Sequence, residues 1–343
     1  MSLTTIQLKS PYLIFLGDVD SPIYSKTGAG IVQWRPELVG GQLRFPENSL
    51  SLGVPDMTVP EAAQAGVKSL LIGVAPIGGQ IKDDWLIVLE EAASLGLDIV
   101  SGLHHRLEGF PGLVTAAQKS GAQLVNVRTP ASGLPVGSGK KRAGKRLLMV
   151  GTDCAVGKKY TALAMTQALQ AKGIKATFRA TGQTGIMIAG SGIPIDTVVA
   201  DFVSGAAEVL SPDNEDDHWD VIEGQGSILH PGYAAVSLGL LHGSQPDAFV
   251  VCHEPTRTTM EGFPHTTMPT VQQCQELTIQ CGRLTNPAIR CVGVSVNTSG
   301  LPEAERLPYL ANLAAELNLP CVDPILTGCE QIVSQLLENE SSY

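Results

Sequence analysis

The sequence predicts an α/β protein of two domains, the second a P-loop-containing α/β domain with a mostly parallel sheet. Three observations predict it. Short apolar runs of strand length alternate with helical runs along most of the chain, the pattern of a parallel sheet covered by helices. A stretch rich in glycine and lysine, residues 133–145, interrupts that alternation. Directly after it, residues 146–161 read as an apolar strand, a glycine-bounded loop, Gly157-Lys158 and a helix, the order that a phosphate-binding loop requires. The boundaries are placed at 1–135 for the first domain, 136–145 for a solvated linker and 146–343 for the second domain. A chain of 343 residues is long enough for two cores.

The elements follow in order. In the first domain strands are expected at 12–16, 69–73, 98–101 and 123–127. Helices are expected at 59–65, where Pro60 suits the first turn, at 85–94, preceded by Asp83 and Asp84, and near 113–119. In the second domain strands are expected at 146–150, 175–180, 219–222, 247–252, 289–296 and 320–322. Helices are expected at 158–172, 198–209, 234–242, 270–281, 303–317 and 329–338, and Gly173 closes the first of them. Ligands of such sheets gather beyond the carboxyl ends of the strands, so the residues that follow each strand are the candidates.

Composition narrows the function. Hydrophobic residues make up 43% and charged residues 16% of the chain, as in globular proteins. No apolar run reaches membrane-spanning length, and residues 1–9 lack the basic start and apolar stretch of a secretion signal. A net charge of −10 argues against broad nucleic-acid binding. The seven cysteines stand at 154, 252, 274, 281, 291, 321 and 329, an odd number without a C-x-x-C pair. They suggest neither a disulfide framework nor a zinc site. The pair His104-His105 lacks a third ligand at metal spacing, so no metal is expected. A cytoplasmic protein that acts on a small molecule, as a homodimer and without nucleic-acid or membrane partners, is the expectation.

The P-loop candidate comprises Gly151, Thr152, Asp153, Cys154, Ala155, Val156, Gly157, Lys158 and Lys159. Backbone N–H groups and the positive end of the following helix would face one anion, and Lys158 adds a cation. The loop departs from the usual pattern. Thr152 holds the place of the first glycine, and Lys159 replaces the hydroxyl that binds Mg²⁺. Thr161, about one helical turn further on, is the nearest substitute. The loop is therefore suited to phosphate and poorly suited to magnesium.

Further candidates follow the other strands. Residues 179–185 offer Arg179, Gln183 and Thr184 in a loop with two glycines. Asp201 begins a helix, as a catalytic acid or an N-cap. Glu223 ends a strand at a Walker-B-like position, followed by Gln225, Ser227, His230 and Tyr233. His253 and Arg257 follow the strand at 247–252, and Arg257 is a candidate clamp for a substrate carboxylate. Asn297 ends a later strand and either reads a base edge or caps a turn. In the first domain the glycine-rich turns at 17–20 and 26–30 and the segment 101–105 are weaker candidates for a second wall.

Two resemblances rest on these residues. Gly151-Thr152-Asp153, Val156-Gly157-Lys158, Glu223-Gly224 and Asn297 are similar to the P-loop, acidic strand end and base-reading amide of dethiobiotin synthetases. A closer resemblance spans nearly the whole chain. Its motifs are Gly-Thr-Asp-Cys-x-x-Gly-Lys at 151–158, Ala-Thr-Gly-Gln-Thr-Gly at 180–185 and Val-Ala-Asp-Phe-Val at 199–203. Glu-Gly-Gln-Gly-Ser at 223–227 with His230-Pro231, and the run from His253 to Arg257, complete it. Together these resemble a family long catalogued as a domain of unknown function, some of whose members are D-glutamate N-acetyltransferases. The resemblance implies a Rossmann-like N-terminal domain before the P-loop domain, and acetyl-CoA as acetyl donor. On that reading the P-loop residues, Thr161 and Asn297 hold the cofactor. Glu223, His230 and Asp201 are the catalytic candidates. Arg179, Gln183, Thr184, Gln225, Ser227, Tyr233, His253 and Arg257 line the substrate. The alternatives are an ATP- and Mg²⁺-dependent ligase or kinase of the dethiobiotin synthetase type, and a nucleotide-binding protein without chemistry.

Overall fold

The computed structural model describes residues 5–22, 24–76 and 79–338; the opening residues 1–4, part of the segment read for a secretion signal, lie outside them. The chain divides into two compact units. One holds residues 5–131 together with 182–197, the other residues 132–181 and 198–338. The division departs from the expected boundaries, because a segment from beyond the P-loop belongs to the first unit.

In chain order the first unit runs β1 (Ile6–Gln7), β2 (Tyr12–Gly17), α1 (Lys26–Trp34), β3 (Val39–Arg44), α2 (Val59–Gln64), β4 (Ser69–Ile72), α3 (Asp83–Ser94), β5 (Asp98–Ser101), α4 (Pro111–Ser120) and β6 (Leu124–Asn126). Five strands form one sheet in the order β3-β2-β4-β5-β6, all parallel. β2, β4 and β5 are buried along their whole length, as expected of strands covered on both faces. The sequence reading missed β3 and α1. The stretch 26–30, read as a glycine-rich turn, is the first turn and a half of α1. There Gly28 lies against Gly73, its N–H donating to the Gly73 carbonyl at 2.8 Å. The glycines serve close helix–strand packing rather than a turn, since a Cβ on Gly28 would crowd Ile14, Leu52 and the Gly73 carbonyl.

The second unit begins with β7 (Lys145–Gly151), α5 (Lys158–Ala171) and β8 (Ala176–Arg179). The excursion to the first unit follows, with α6 (Gln183–Ala189) and β9 (Ser191–Gly192), which pairs antiparallel with β1. The second unit resumes with α7 (Val203–Leu210), β10 (Trp219–Ile222), α8 (Ala234–Ser244), β11 (Ala248–His253) and the hairpin β12 (Thr259–Met260) and β13 (Phe263–Thr267). It ends with α9 (Val271–Gly282), β14 (Arg290–Val296), α10 (Glu303–Leu317), β15 (Cys321–Val322) and α11 (Glu330–Glu338). Its six-stranded sheet has the order β15-β14-β11-β7-β10-β8, again all parallel. β7 connects toward β8 on one side and its neighbour β11 toward β14 on the other, and this reversal opens a crevice at the carboxyl ends of the two strands.

The basic stretch 136–145 is no free linker. Arg142 donates to the carbonyls of Ser211 (2.7 Å) and Gly243 (2.8 Å) at the C-terminal ends of α7 and α8, where orphan carbonyls favour a cation. Lys141 pairs with Asp247 at 2.7 Å. Arg146 is fully buried and donates to Ser211 Oγ and to the carbonyls of Arg142, Ala143, Gly144 and Pro212. These residues sit at the start of β7. Seven residues at about 3.3 Å each put them roughly 20 Å from the loop at its other end, too far to help hold a phosphate there.

Candidate functional site

The loop after β7 has the shape that its sequence predicts. Ala155 and Gly157 adopt left-handed backbone conformations, φ 53° and 105°, which turn successive N–H groups to one side. Ala155 is a non-glycine residue in that region, where backbone strain collects at functional loops. Among the described residues the N–H groups of Ala155, Val156, Gly157 and Lys158 have no backbone acceptor. The 14-residue helix α5 has no side-chain cap. Open donors and a helix dipole thus converge on one spot. Lys158 is buried, and its Nζ donates to the Asp153 carbonyl at 2.7 Å. Burial lowers its pKa.

Asp153, fully buried, organises this loop. Its Oδ1 accepts the Cys154 N–H at 2.6 Å. Its Oδ2 accepts the Glu261 N–H from the β12–β13 turn at 2.8 Å and Arg257 Nη1 at 3.0 Å. Arg257 also donates to the carbonyls of Cys154 (2.8 Å) and Ala155 (3.3 Å), and its Nε lies 3.0 Å from Glu254. The expected substrate clamp is therefore a brace for the loop, since its donors are spent on the loop's own oxygens. Arg179 places its Nε on Asp220 Oδ1 at 2.8 Å. Ser211 Oγ donates to the other oxygen of Asp220 at 2.7 Å.

Glu223, at the end of β10, is buried and takes the Thr181 N–H on Oε2 at 2.9 Å. Its carbonyl takes the Thr181 hydroxyl at 2.8 Å. Gly224 follows because nothing larger fits: a Cβ there would fall on the Met149 carbonyl and 3.0 Å from Lys158 Cδ. Gln225 Nε2 donates to Thr181 Oγ1 at 2.9 Å. Ser227 Oγ accepts the Leu229 N–H at 3.2 Å and shapes the turn toward His230.

His230 is fully buried, between Tyr233 and the edge of Phe263, each with ring centroids 4.7 Å away. Its Nδ1 accepts the Gly232 N–H at 3.0 Å, so the neutral ring carries its proton on Nε2. That nitrogen has no hydrogen-bond partner and lies 3.7 Å from Asp153 Oδ1. Its Nδ1 lone pair is taken up by the Gly232 N–H, and its Nε2 faces the loop. Asp153, Cys154 and His230 offer ligand atoms within 4.8 Å of one another. Ligation through Nε2, however, would move the ring proton onto Nδ1, against the Gly232 N–H. The Arg257 guanidinium already neutralises Asp153. Burial raises the Cys154 pKa. The set does not suit a metal.

The remaining candidates divide. Thr152 Oγ1 meets His253 Nδ1 at 3.0 Å, and burial lowers the His253 pKa. Thr161 is turned toward the sheet. Its hydroxyl pairs with Ser295 Oγ at 2.7 Å and donates to the Gly157 carbonyl at 3.1 Å, so it does not replace the missing magnesium hydroxyl. Lys159 Nζ lies 4.5 Å from the Tyr160 ring centroid. Asn297 Oδ1 caps the following turn through Ser299 N–H (3.2 Å) and Oγ (2.8 Å). Tyr233 is half exposed. Asp201 is exposed in a 3₁₀ turn, Ala200–Phe202, outside α7, so it is neither part of the loop cluster nor the helix N-cap expected. Gln183 and Thr184 lie in α6 rather than in a loop, and so in the first unit. Thr184 Oγ1 meets Thr27 Oγ1 there at 3.2 Å. Sequence reasoning missed the roles of Asp153 as hub and of Glu261, whose contribution is a backbone N–H and leaves no trace in residue type.

Comparison with known proteins agrees with this architecture. Residues 37–130 match the family profile described as "Domain of unknown function (DUF1611_N) Rossmann-like domain", and residues 135–333 match "Domain of unknown function (DUF1611_C) P-loop domain". A relative from Tritonibacter scottomollicae, named D-glutamate N-acetyltransferase, is 47% identical over 329 residues, 96% of this chain and 99% of the relative. One from Pseudoalteromonas sp, with the same name, is 47% identical over 331 residues, 96% of this chain and 100% of its own. The crystal structure of a DUF1611 family protein from Anabaena variabilis superposes with a TM-score of 0.83. It shares 32% identity and covers 96% of this chain and 100% of its own. With a Rossmann-like unit, a P-loop unit and relatives matched over nearly full length, the chain belongs to the DUF1611 family.

Proposed function

We propose that this protein moves the acetyl group of acetyl-CoA to the amine of D-glutamate, with the P-loop holding the cofactor's diphosphate. The observation that carries the reading is the loop itself, with four open N–H groups, an uncapped helix start and a buried lysine. The name of two relatives at 47% identity supports the activity. A diphosphate needs donors and a cation and no metal-activated transfer. Lys159 stands where a magnesium hydroxyl is usual, and Thr161 is bonded to Ser295 and Gly157. Both favour this ligand over ATP with Mg²⁺.

The reach of the donor then assigns roles. The free amine attacks the thioester carbonyl carbon, the C–N bond forms, the C–S bond to coenzyme A breaks with its electron pair on sulfur, and the proton lost from nitrogen converts the departing thiolate to the free thiol. The arm between diphosphate and sulfur is about as long as four extended residues, roughly 14 Å. His230, with Nε2 3.7 Å from the Asp153 carboxylate, and Glu223, next to the Gly224 that packs on Met149 and Lys158, stand beside the diphosphate seat and help to shape it.

The test is direct. Purified protein mixed with acetyl-CoA and D-glutamate is expected to release free thiol and an amino acid heavier by one acetyl group. Thiol release that does not depend on any amino acid, or none at all, contradicts the reading.

A further inference from the structure

Two large apolar side chains stand exposed beside the P-loop sheet, Ile325 at 64% and Leu326 at 49%. They occupy the loop after β15 and are held rigidly there. Asp323 is buried, and its Oδ1 accepts the N–H groups of Ile325 (2.9 Å) and Leu326 (3.2 Å). Its Oδ2 accepts the Thr298 N–H at 3.0 Å and the Thr298 hydroxyl at 2.5 Å. Thr327 closes the turn on the Asp323 backbone. A loop knit this tightly does not need to expose its two largest apolar side chains for its own stability.

A chain of hydrogen bonds joins this ledge to the P-loop. The Thr152 N–H donates to the Cys252 carbonyl at 3.0 Å, and Thr152 Oγ1 meets His253 Nδ1. The Asn297 N–H donates to the His253 carbonyl at 2.8 Å. Thr298, next in sequence, is bound to Asp323. With strands about 4.8 Å apart, Asn297 lies roughly 10 Å from the end of β7 and the ledge roughly 14 Å. A nucleoside attached to a diphosphate spans that interval.

Resting on the diphosphate reading above, we propose that Ile325 and Leu326 form the apolar ledge on which the adenine ring of the acetyl donor lies, with the Asn297 amide at the ring's edge. A flat ring covers apolar surface without sequence-like specificity, and the amide NH₂ supplies a donor for a ring nitrogen.

The experiment compares two acetyl donors that share a thioester and differ in the nucleotide. Ile325→Asp, Leu326→Asp and the double variant are assayed with acetyl-CoA and with S-acetyl-pantetheine, and coenzyme A affinity is measured by calorimetry. The expected result is a loss of about tenfold or more in coenzyme A affinity, with turnover of S-acetyl-pantetheine unchanged and the oligomeric state unaltered. Wild-type coenzyme A affinity in the double variant, with full transfer from acetyl-CoA, overturns the ledge and leaves the acetyltransferase reading standing. A shift to a smaller species on size-exclusion chromatography, with unchanged affinity, overturns it in favour of a contact between copies of the chain. Coenzyme A that fails to bind the wild-type protein removes both.

Discussion

Asp153 is the residue on which the site's shape depends. A fully buried carboxylate is tolerated where its oxygens are paired, and here they meet two backbone N–H groups and Arg257. Replacing Arg257 with Ala strands that charge, at an expected cost of about 3 kcal/mol in unfolding free energy. Urea denaturation checks the figure, and wild-type stability would show that the pair does not brace the loop. His230 is predicted to act on binding. His230→Ala should raise the KM for acetyl-CoA by about tenfold, with kcat and its pH profile kept. A collapse of kcat with a lost pH limb would restore it as a base. His253 gives a pH signature. Burial holds its folded-state pKa below 6.5, so the unfolded chain takes up the proton first as pH falls. The stabilisation is present above 6.5 and declines as pH drops toward the folded-state value. His253→Asn should flatten the dependence of Tm on pH between about 7 and 5; equal slopes in variant and wild type would contradict this. Arg179 and Arg257 illustrate why roles were harder to read than positions. Residue type announces a guanidinium, but only folded neighbours reveal that Asp220 holds the Arg179 Nε and that the P-loop carbonyls take the Arg257 donors.

At the scale of elements, the site is a product of strand ends. β7 carries the loop, β10 ends in Glu223-Gly224 and β11 delivers His253 to Arg257, with β10 and β11 flanking β7. Gly224 is the tightest point, because a methyl group there meets the Met149 carbonyl of the neighbouring strand. Gly224→Ala is expected to destabilise by on the order of 3 kcal/mol, read as a lowered urea midpoint, and an unshifted midpoint would refute the packing argument. The six strands of this sheet were legible as short runs set between turn residues, apolar in the main although β8 reads Ala-Thr-Phe-Arg. β3 was not legible: Val-Gly-Gly-Gln-Leu-Arg has two glycines and no alternation, and it owes its conformation to pairing with β2. The hairpin β12–β13 is largely exposed, so hydrophobic pattern gives no sign of it, although its turn supplies the Glu261 N–H. α6 was hidden for another reason. Gly182 and Gly185 read as loop punctuation, yet Gly185, Ile186, Met187 and Ile188 are buried.

At the scale of the molecule, the chain leaves the P-loop unit after Thr181 and returns at Val198, which linear reading of domain boundaries cannot anticipate. Within the first unit this excursion packs Met187 at Gly102 and Ile188 at Gly30, and pairs β9 with β1. A fragment ending at Ala131 lacks these contacts. Burial of two or three large apolar side chains is worth about 5 kcal/mol, comparable with the whole stability of a small domain. The fragment should show no cooperative urea transition by circular dichroism, and a sharp transition would contradict the assigned unit. The central claim, a diphosphate seat that works without magnesium, is tested most directly by titrating coenzyme A into the protein in a calorimeter, with Mg²⁺ and again with excess EDTA. The account predicts the same affinity in both and its loss in Lys158→Ala. Binding that requires Mg²⁺, or that survives the loss of Lys158, would contradict it.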